Sequence, residues 1–132
     1  MVQQREERGV AVVEFAIVLT LLAPLIVVII AWGVRFHNAA QADNAAFIAA
    51  RYYAIKCGVD GAGPAASAAK AAGAASTSLV SAGDITLSGS CTVGGTITAR
   101  ISKSQAWSPP VPFFGMSGSY SLGGTGAARC EG

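Results

Sequence analysis

Arg8-Gly9-Val10-Ala11-Val12-Val13-Glu14-Phe15 joins a short charged leader to a long apolar run, and its reading decides the fold. From Phe15 to Val34 no residue is charged. That is about 20 residues, the length at which a helix crosses about 30 Å of hydrocarbon. Only Thr20, Pro24 and Gly33 interrupt the run, and Gly and Pro are tolerated where neighbouring groups satisfy the freed backbone. Pro24 removes one backbone donor and is expected to kink the helix. A removable secretory signal fits poorly, because its apolar core is shorter and Ala31-Trp32-Gly33-Val34-Arg35 offers no Ala-x-Ala-like site. Trp32 and Phe36 suit the interfacial belt.

Composition agrees with a membrane protein. Of 132 residues only 12% are charged, and the mean hydropathy is +0.51. The net charge of +2 is small and the basic residues are scattered, so direct nucleic-acid binding is not indicated. Alanine, glycine and serine dominate outside the apolar run, so any core there is modest. Arg5 and Arg8 flank one end of the run and Arg35 the other, which favours a cytoplasmic N-terminus and an exported C-terminal part.

The helical signal continues past the membrane. Phe36 to Lys56 is alanine-rich and free of Gly and Pro. His37, Gln41, Asn44 and Arg51 share one face; Phe36, Ala40, Phe47, Ala50 and Ala54 share another, which Asp43 interrupts. That second face packs either on the chain's own small domain or on neighbouring copies. One helix is expected from about Val10 to Lys56, on the order of 70 Å long. Cys57-Gly58 is expected to end it, with Gly58 to Pro64 as a loop. Ala65 to Ala75 reads as a short helix or a flexible linker.

The period then changes. Ile85-Thr86-Leu87, Thr96 to Ile101 and, more loosely, Ser119 to Arg129 alternate as strands do, and Gly94-Gly95 suits a two-residue hairpin. Trp107 to Gly115 is a Pro-rich connection. The expected class is α+β: a long N-terminal transmembrane helix continuing outside the membrane, then a small antiparallel sheet with Pro/Gly-rich loops. The divisions are a leader over 1–9, a transmembrane and extended helix over 10–56, a linker over 57–84 and a small β-rich domain over 85–132.

Cys57, Cys91 and Cys130 form no C-x-x-C pair, and with one His in the chain no metal site is expected. Outside the membrane a disulfide is expected. Cys91 precedes one strand and Cys130 follows another; if these pair antiparallel, the two cysteines meet at one end of the sheet. This favours Cys91–Cys130, with a helix-to-sheet bridge from Cys57 as the main alternative. No nucleophile elbow, P-loop, zinc-protease or dinucleotide-binding motif is present, so no catalytic residue and no cofactor are expected. Asp60 and Asp84 read as turn residues, and Tyr52 and Tyr53 as a helix-to-sheet contact.

Glu14 is the exception to this plainness. It is either a carboxylate at the lipid headgroup boundary or a working charge in the apolar run. In the second reading, cleavage after Gly9 gives Val10 a positive amine and makes Glu14 the fifth residue of the new chain. Among staggered parallel helices Glu14 then pairs with the amine of a neighbour, and neither charge is tolerable there without the other.

Gly9-Val10-Ala11-Val12-Val13-Glu14-Phe15 resembles the processing motif of type IV pilin-like proteins. Arg8 to Ala16 is similar to the opening of the TadE-like proteins of tight-adherence pilus systems, and Asn44 to Ala54 resembles their Ala/Arg-rich post-membrane helix. The likeness is good over about the first 56 residues and loose in the tail. The resemblance implies a minor pilin or pseudopilin. It implies prepilin-peptidase cleavage between Gly9 and Val10, and assembly contacts through Glu14 and Phe15. The partners it implies are the lipid bilayer, other pilin-like subunits, the assembly platform and the peptidase. The competing reading is an uncleaved single-pass protein whose exported module displays Trp107 to Phe114 to a partner.

Overall fold

The computed structural model describes residues 3–107 and 118–130, with side chains from residue 9 onward. Two helices, α1 (Gln3–Asp60) and α2 (Ala62–Ala75), precede a short 3-10 turn (Ala82–Asp84) and three strands, β1 (Ile85–Ser88), β2 (Thr96–Trp107) and β3 (Gly118–Arg129). The architecture is α+β, as the sequence leads one to expect. The chain divides into two compact units, residues 1–34 and 35–132.

The first unit is helix throughout its described residues. Its apolar side chains face outward, with Val10, Phe15, Leu21 and Ile29 each more than half exposed. An apolar surface of that extent, unmatched by any polar face, is long and apolar enough to cross a membrane. Pro24 lies inside the helix. The Thr20 hydroxyl donates to the Ala16 carbonyl at 2.8 Å, which satisfies its polar group locally, as an apolar solvent demands.

In the second unit the rest of α1 packs under the sheet. Its buried positions are Ala42, Ala45, Ala46, Ala49, Ala50, Tyr53, Ala54 and Cys57, spaced three and four apart as one helix face requires. Of the apolar face expected from the sequence, only Ala50 and Ala54 are buried; Phe36 and Phe47 are exposed, and Asp43 lies at the surface. The cause is the size of the partner. A face of alanines lets the sheet approach the helix backbone, and a phenylalanine would hold it away. Tyr53 joins this contact, whereas Tyr52 stays partly exposed.

The helix runs past Cys57-Gly58 to Asp60, just under one further turn, so glycine alone does not stop it. Gly58 keeps a helical φ, and the reversal falls at Gly61, where φ is +84°. The expected loop to Pro64 is thus confined to Gly61. Pro64 sits in the first turn of α2, where its missing N–H costs nothing. Ala65, Ala69 and Gly73 bury α2 against α1. A Cβ on Gly73 would lie 2.9 Å from the Ala45 carbonyl oxygen, so the two helices meet almost backbone to backbone.

The sheet is a meander, β1-β2-β3, antiparallel throughout. Ile85, Ile97 and Leu122 are its largest fully buried side chains. β2 outlasts the expected Thr96–Ile101 because its inward positions turn polar without losing their contacts. Lys103 donates to the Leu79 carbonyl at 2.7 Å and lies 3.6 Å from Asp84. Gly94-Gly95 does not close a two-residue hairpin. The β1–β2 connection runs over 89–95, and the Gly94 amide donates to the Cys130 carbonyl at 2.9 Å, tying the loop to the end of β3.

The disulfide joins Cys57 to Cys91, with Cα atoms 6.0 Å apart, and Cys130 is a buried free thiol. This corrects the favoured Cys91–Cys130 pairing. Cys91 and Cys130 do come to one end of the sheet, where Thr96 pairs with Arg129. The last turn of α1 lies at the same end, and Cys91 is bonded to Cys57 there. Cys130 instead lies against the Ser90 carbonyl, 3.8 Å from its oxygen.

Candidate functional site

Gly9, Val10, Glu14 and Phe15 all lie on α1, and all are exposed. The Gly9–Val10 bond is inside the helix, six residues beyond its first described residue, Gln3. Glycine costs about 1 kcal/mol relative to alanine inside a helix, so the helix is locally weakened where the motif lies. Glu14 stands one helical turn beyond Val10, so both project from the same side. Its carboxylate has no hydrogen-bond or ion-pair partner among the described residues. Its surroundings on the helix, Val10, Val13 and Val18, are apolar and outward-facing. Phe15 presents its ring beside it, about two-thirds exposed. The surface is therefore apolar and carries a single carboxylate.

A second constellation lies at the start of the other unit. Asn38 donates through Nδ2 to the Tyr120 hydroxyl at 3.0 Å, and the Arg35 guanidinium lies 5.2 Å from the centre of the same ring. One turn along, His37 Nε2 and Gln41 Nε2 are 2.7 Å apart, while the Thr77 hydroxyl donates to Gln41 Oε1 at 2.7 Å. With its carbonyl end engaged by Thr77, Gln41 turns its amide nitrogen toward His37 Nε2. Gln41 is thereby the tether between α1 and the segment after α2, braced from the same helix by His37. No nucleophile stands beside it.

Asp84 is a capping residue. The Ser81 hydroxyl and amide donate to its Oδ2 at 2.7 and 2.9 Å. These two bonds, with a smaller contribution from Lys103, hold its carboxyl below the ordinary value. Asp60 ends α1 and lies 4.0 Å from Lys56 at the surface. Among the described residues no cluster of His, Cys, Asp or Glu could hold a metal ion. Trp107 closes β2, and the rest of the Pro-rich connection, Ser108 to Gly115, lies outside the described residues, as do the leader's side chains.

Sequence reasoning missed the role of Asn38 and Tyr120, which are 82 residues apart and share no motif. It also missed Gly124 and Gly126 of β3. A Cβ on Gly124 would lie 2.5 Å from the Ala42 carbonyl carbon, and one on Gly126 would overlap the Phe47 backbone. The alternation of glycines at 124 and 126, both on the inward side of β3, was the available signal.

The family model described as TadE-like protein matches residues 9–51, from the glycine of the motif to the middle of the packed part of α1. No curated protein matches the chain, and no solved structure does.

Proposed function

This chain is TadE-like over residues 9–51, and on that premise we propose that it is a minor pilin or pseudopilin of a tight-adherence pilus. In this reading prepilin peptidase cuts between Gly9 and Val10, the N-terminus faces the cytoplasm, and residues 35–132 lie on the far side of the membrane. The mature chain joins other pilin-like subunits on the assembly platform. Its role is structural, and no step of chemistry is assigned to it.

One observation supports the reading above the others. Glu14 is exposed on an apolar helix and has no partner among the described residues. Cleavage after Gly9 changes its setting in two ways. The helix would then begin at Val10 rather than Gln3, which brings Glu14 close to the positive end of the helix dipole. It would also create an ammonium group at Val10, and in a neighbouring subunit that group is the complement Glu14 lacks. Because both charges are costly in an apolar bundle, their pairing would fix the axial stagger between subunits.

The N-terminus of the protein purified from its native membrane tests the proposal. A chain beginning at Val10 is expected. A chain beginning at Met1 would overturn the processing step and return Glu14 to the role of a boundary carboxylate.

A further inference from the structure

The sheet covers only one side of α1. Gly124 and Gly126 seat β3 directly on the helix at Ala42, Asp43, Ala46 and Phe47. β3 is also an edge strand. The helix therefore lies beneath the margin of the sheet, and its outer flank extends past it. That flank carries Phe47, 46% exposed, and Ile55, 59% exposed, both larger than anything α1 buries there except Tyr53.

The margin itself is open over a defined length. The Thr125 amide points off the sheet and donates to Asp43 Oδ1 at 2.9 Å, whereas the Cys130 amide points inward, to the Gly95 carbonyl at 2.8 Å. Antiparallel pairing alternates these directions, so Ala127 and Arg129 also direct their N–H and C=O groups outward. Both residues are exposed, and among the described residues neither makes an outward backbone bond. Asp43 protects the edge at Thr125, and among the described residues nothing bonds to it beyond. Below this stretch lies a groove of about 270 Å³ lined by Phe47, Arg51, Ala54, Ile55, Ala128 and Arg129. Its charged side chains are both arginines, and among the described residues of that flank the Asp43 carboxylate is engaged at Thr125.

We propose that the β3 edge at Ala127 and Arg129, with the α1 flank of Phe47, Arg51 and Ile55, is a docking groove for an extended acidic strand of another protein. Main-chain bonds to Ala127 and Arg129 supply the pairing, the alternate side chains of the incoming strand rest on Phe47 and Ile55, and its carboxylates meet Arg51 and Arg129. A second copy of this chain fits less well. Its other free margin, β1, is only four residues long and reads Ile-Thr-Leu-Ser, with no carboxylate. This inference stands apart from the pilus reading and does not need it.

Hydrogen exchange on the full chain in lipid nanodiscs tests it, with two blocked octapeptides as probes, one alternating glutamate with valine and the other lysine with valine. The glutamate peptide is expected to bind and to slow exchange at Ala127 and Arg129 by about tenfold, the lysine peptide to do neither. The exposed double substitution Arg51→Glu with Arg129→Glu should reverse the preference. Absence of protection with both peptides, or equal protection by both, overturns the proposal. Protection that grows with protein concentration and without peptide also overturns it, in favour of a second copy at the same edge.

Discussion

Asn38 and Tyr120 join the first turns of the packed helix to the start of the third strand through one hydrogen bond of 3.0 Å. The contact is half-buried, and Arg35 lies on the same ring. Tyr120→Phe removes the acceptor and keeps the ring. It should cost about 1 kcal/mol, the usual worth of one such bond. Tyr120→Ala also removes the surface under Arg35 and should cost clearly more. Urea unfolding of the parent and the two variants, followed by near-ultraviolet circular dichroism, orders them; a Tyr120→Phe variant as stable as the parent would deny the hydroxyl its role.

The cysteines make a second set of expectations. Proteolysis without reduction should yield one linked peptide pair containing Cys57 and Cys91, and Cys130 should react with an alkylating agent only once the chain is unfolded. Cys57→Ser should lower stability by about 2–4 kcal/mol, as loss of a native crosslink over an intermediate loop does. Recovery of a Cys91–Cys130 pair from the unaltered chain would contradict the assignment.

Asp84 predicts a dependence on acidity. Its carboxyl is held below the ordinary value chiefly by the Ser81 hydroxyl and amide. A lowered folded-state value means that the contribution to stability is complete above the ordinary carboxylate range and is lost as pH falls through the folded value. Nuclear magnetic resonance titration should place the Asp84 midpoint below that of a free aspartate, and Ser81→Ala should move it back up. An unchanged midpoint in that variant would remove Ser81 as the cause.

Gly126→Ala places a methyl group where the Phe47 backbone already is. Overpacking of this kind costs about 1–3 kcal/mol, and a backbone neighbour has little freedom to yield. Gly123→Ala, on the same strand, meets only the Ile101 carbonyl oxygen at 3.8 Å and should be close to neutral. Thermal melts of the pair provide the comparison, and similar melting temperatures would refute the close seating.

Glu14→Ala should leave the amount of protein in the membrane unchanged, since the substitution only makes the apolar run more apolar. Pilus assembly should fail. Glu14→Gln should fail as well, because it keeps the size and loses the charge. Normal piliation in both strains would refute the assembly role of Glu14.

Much of this molecule is legible in one dimension. Phe15 to Val34 announces itself by length and hydropathy, and Ile85, Ile97 and Ile101 mark their strands by alternation. What was misread depended on distance and shape. Phe47 shares by spacing a face read as packing either on the chain's own domain or on neighbouring copies; within the chain it stays exposed and α1 buries alanines, since the strand above it presents Gly124 and Gly126 in place of side chains. Gly58 looked like a helix stop because glycine often is one, yet only Gly61 adopts the positive φ that ends α1. The Cys57–Cys91 bond depended on where the end of α1 lies against the sheet, which no local pattern reports. Glu14 was visible from the start, because a lone carboxylate among valines needs no tertiary structure to be noticed.

The seating of β3 on α1 has a mechanical consequence. Glycines at 124 and 126 fit under the strand at one position only. Sliding the strand by two residues along the helix would drive Leu122 or Ala128 into a gap with room for a hydrogen atom. Close-packed contacts of this kind do not deform gradually. A pull along the helix axis is therefore carried into the sheet as a rigid load, and the joint gives way only by separating altogether.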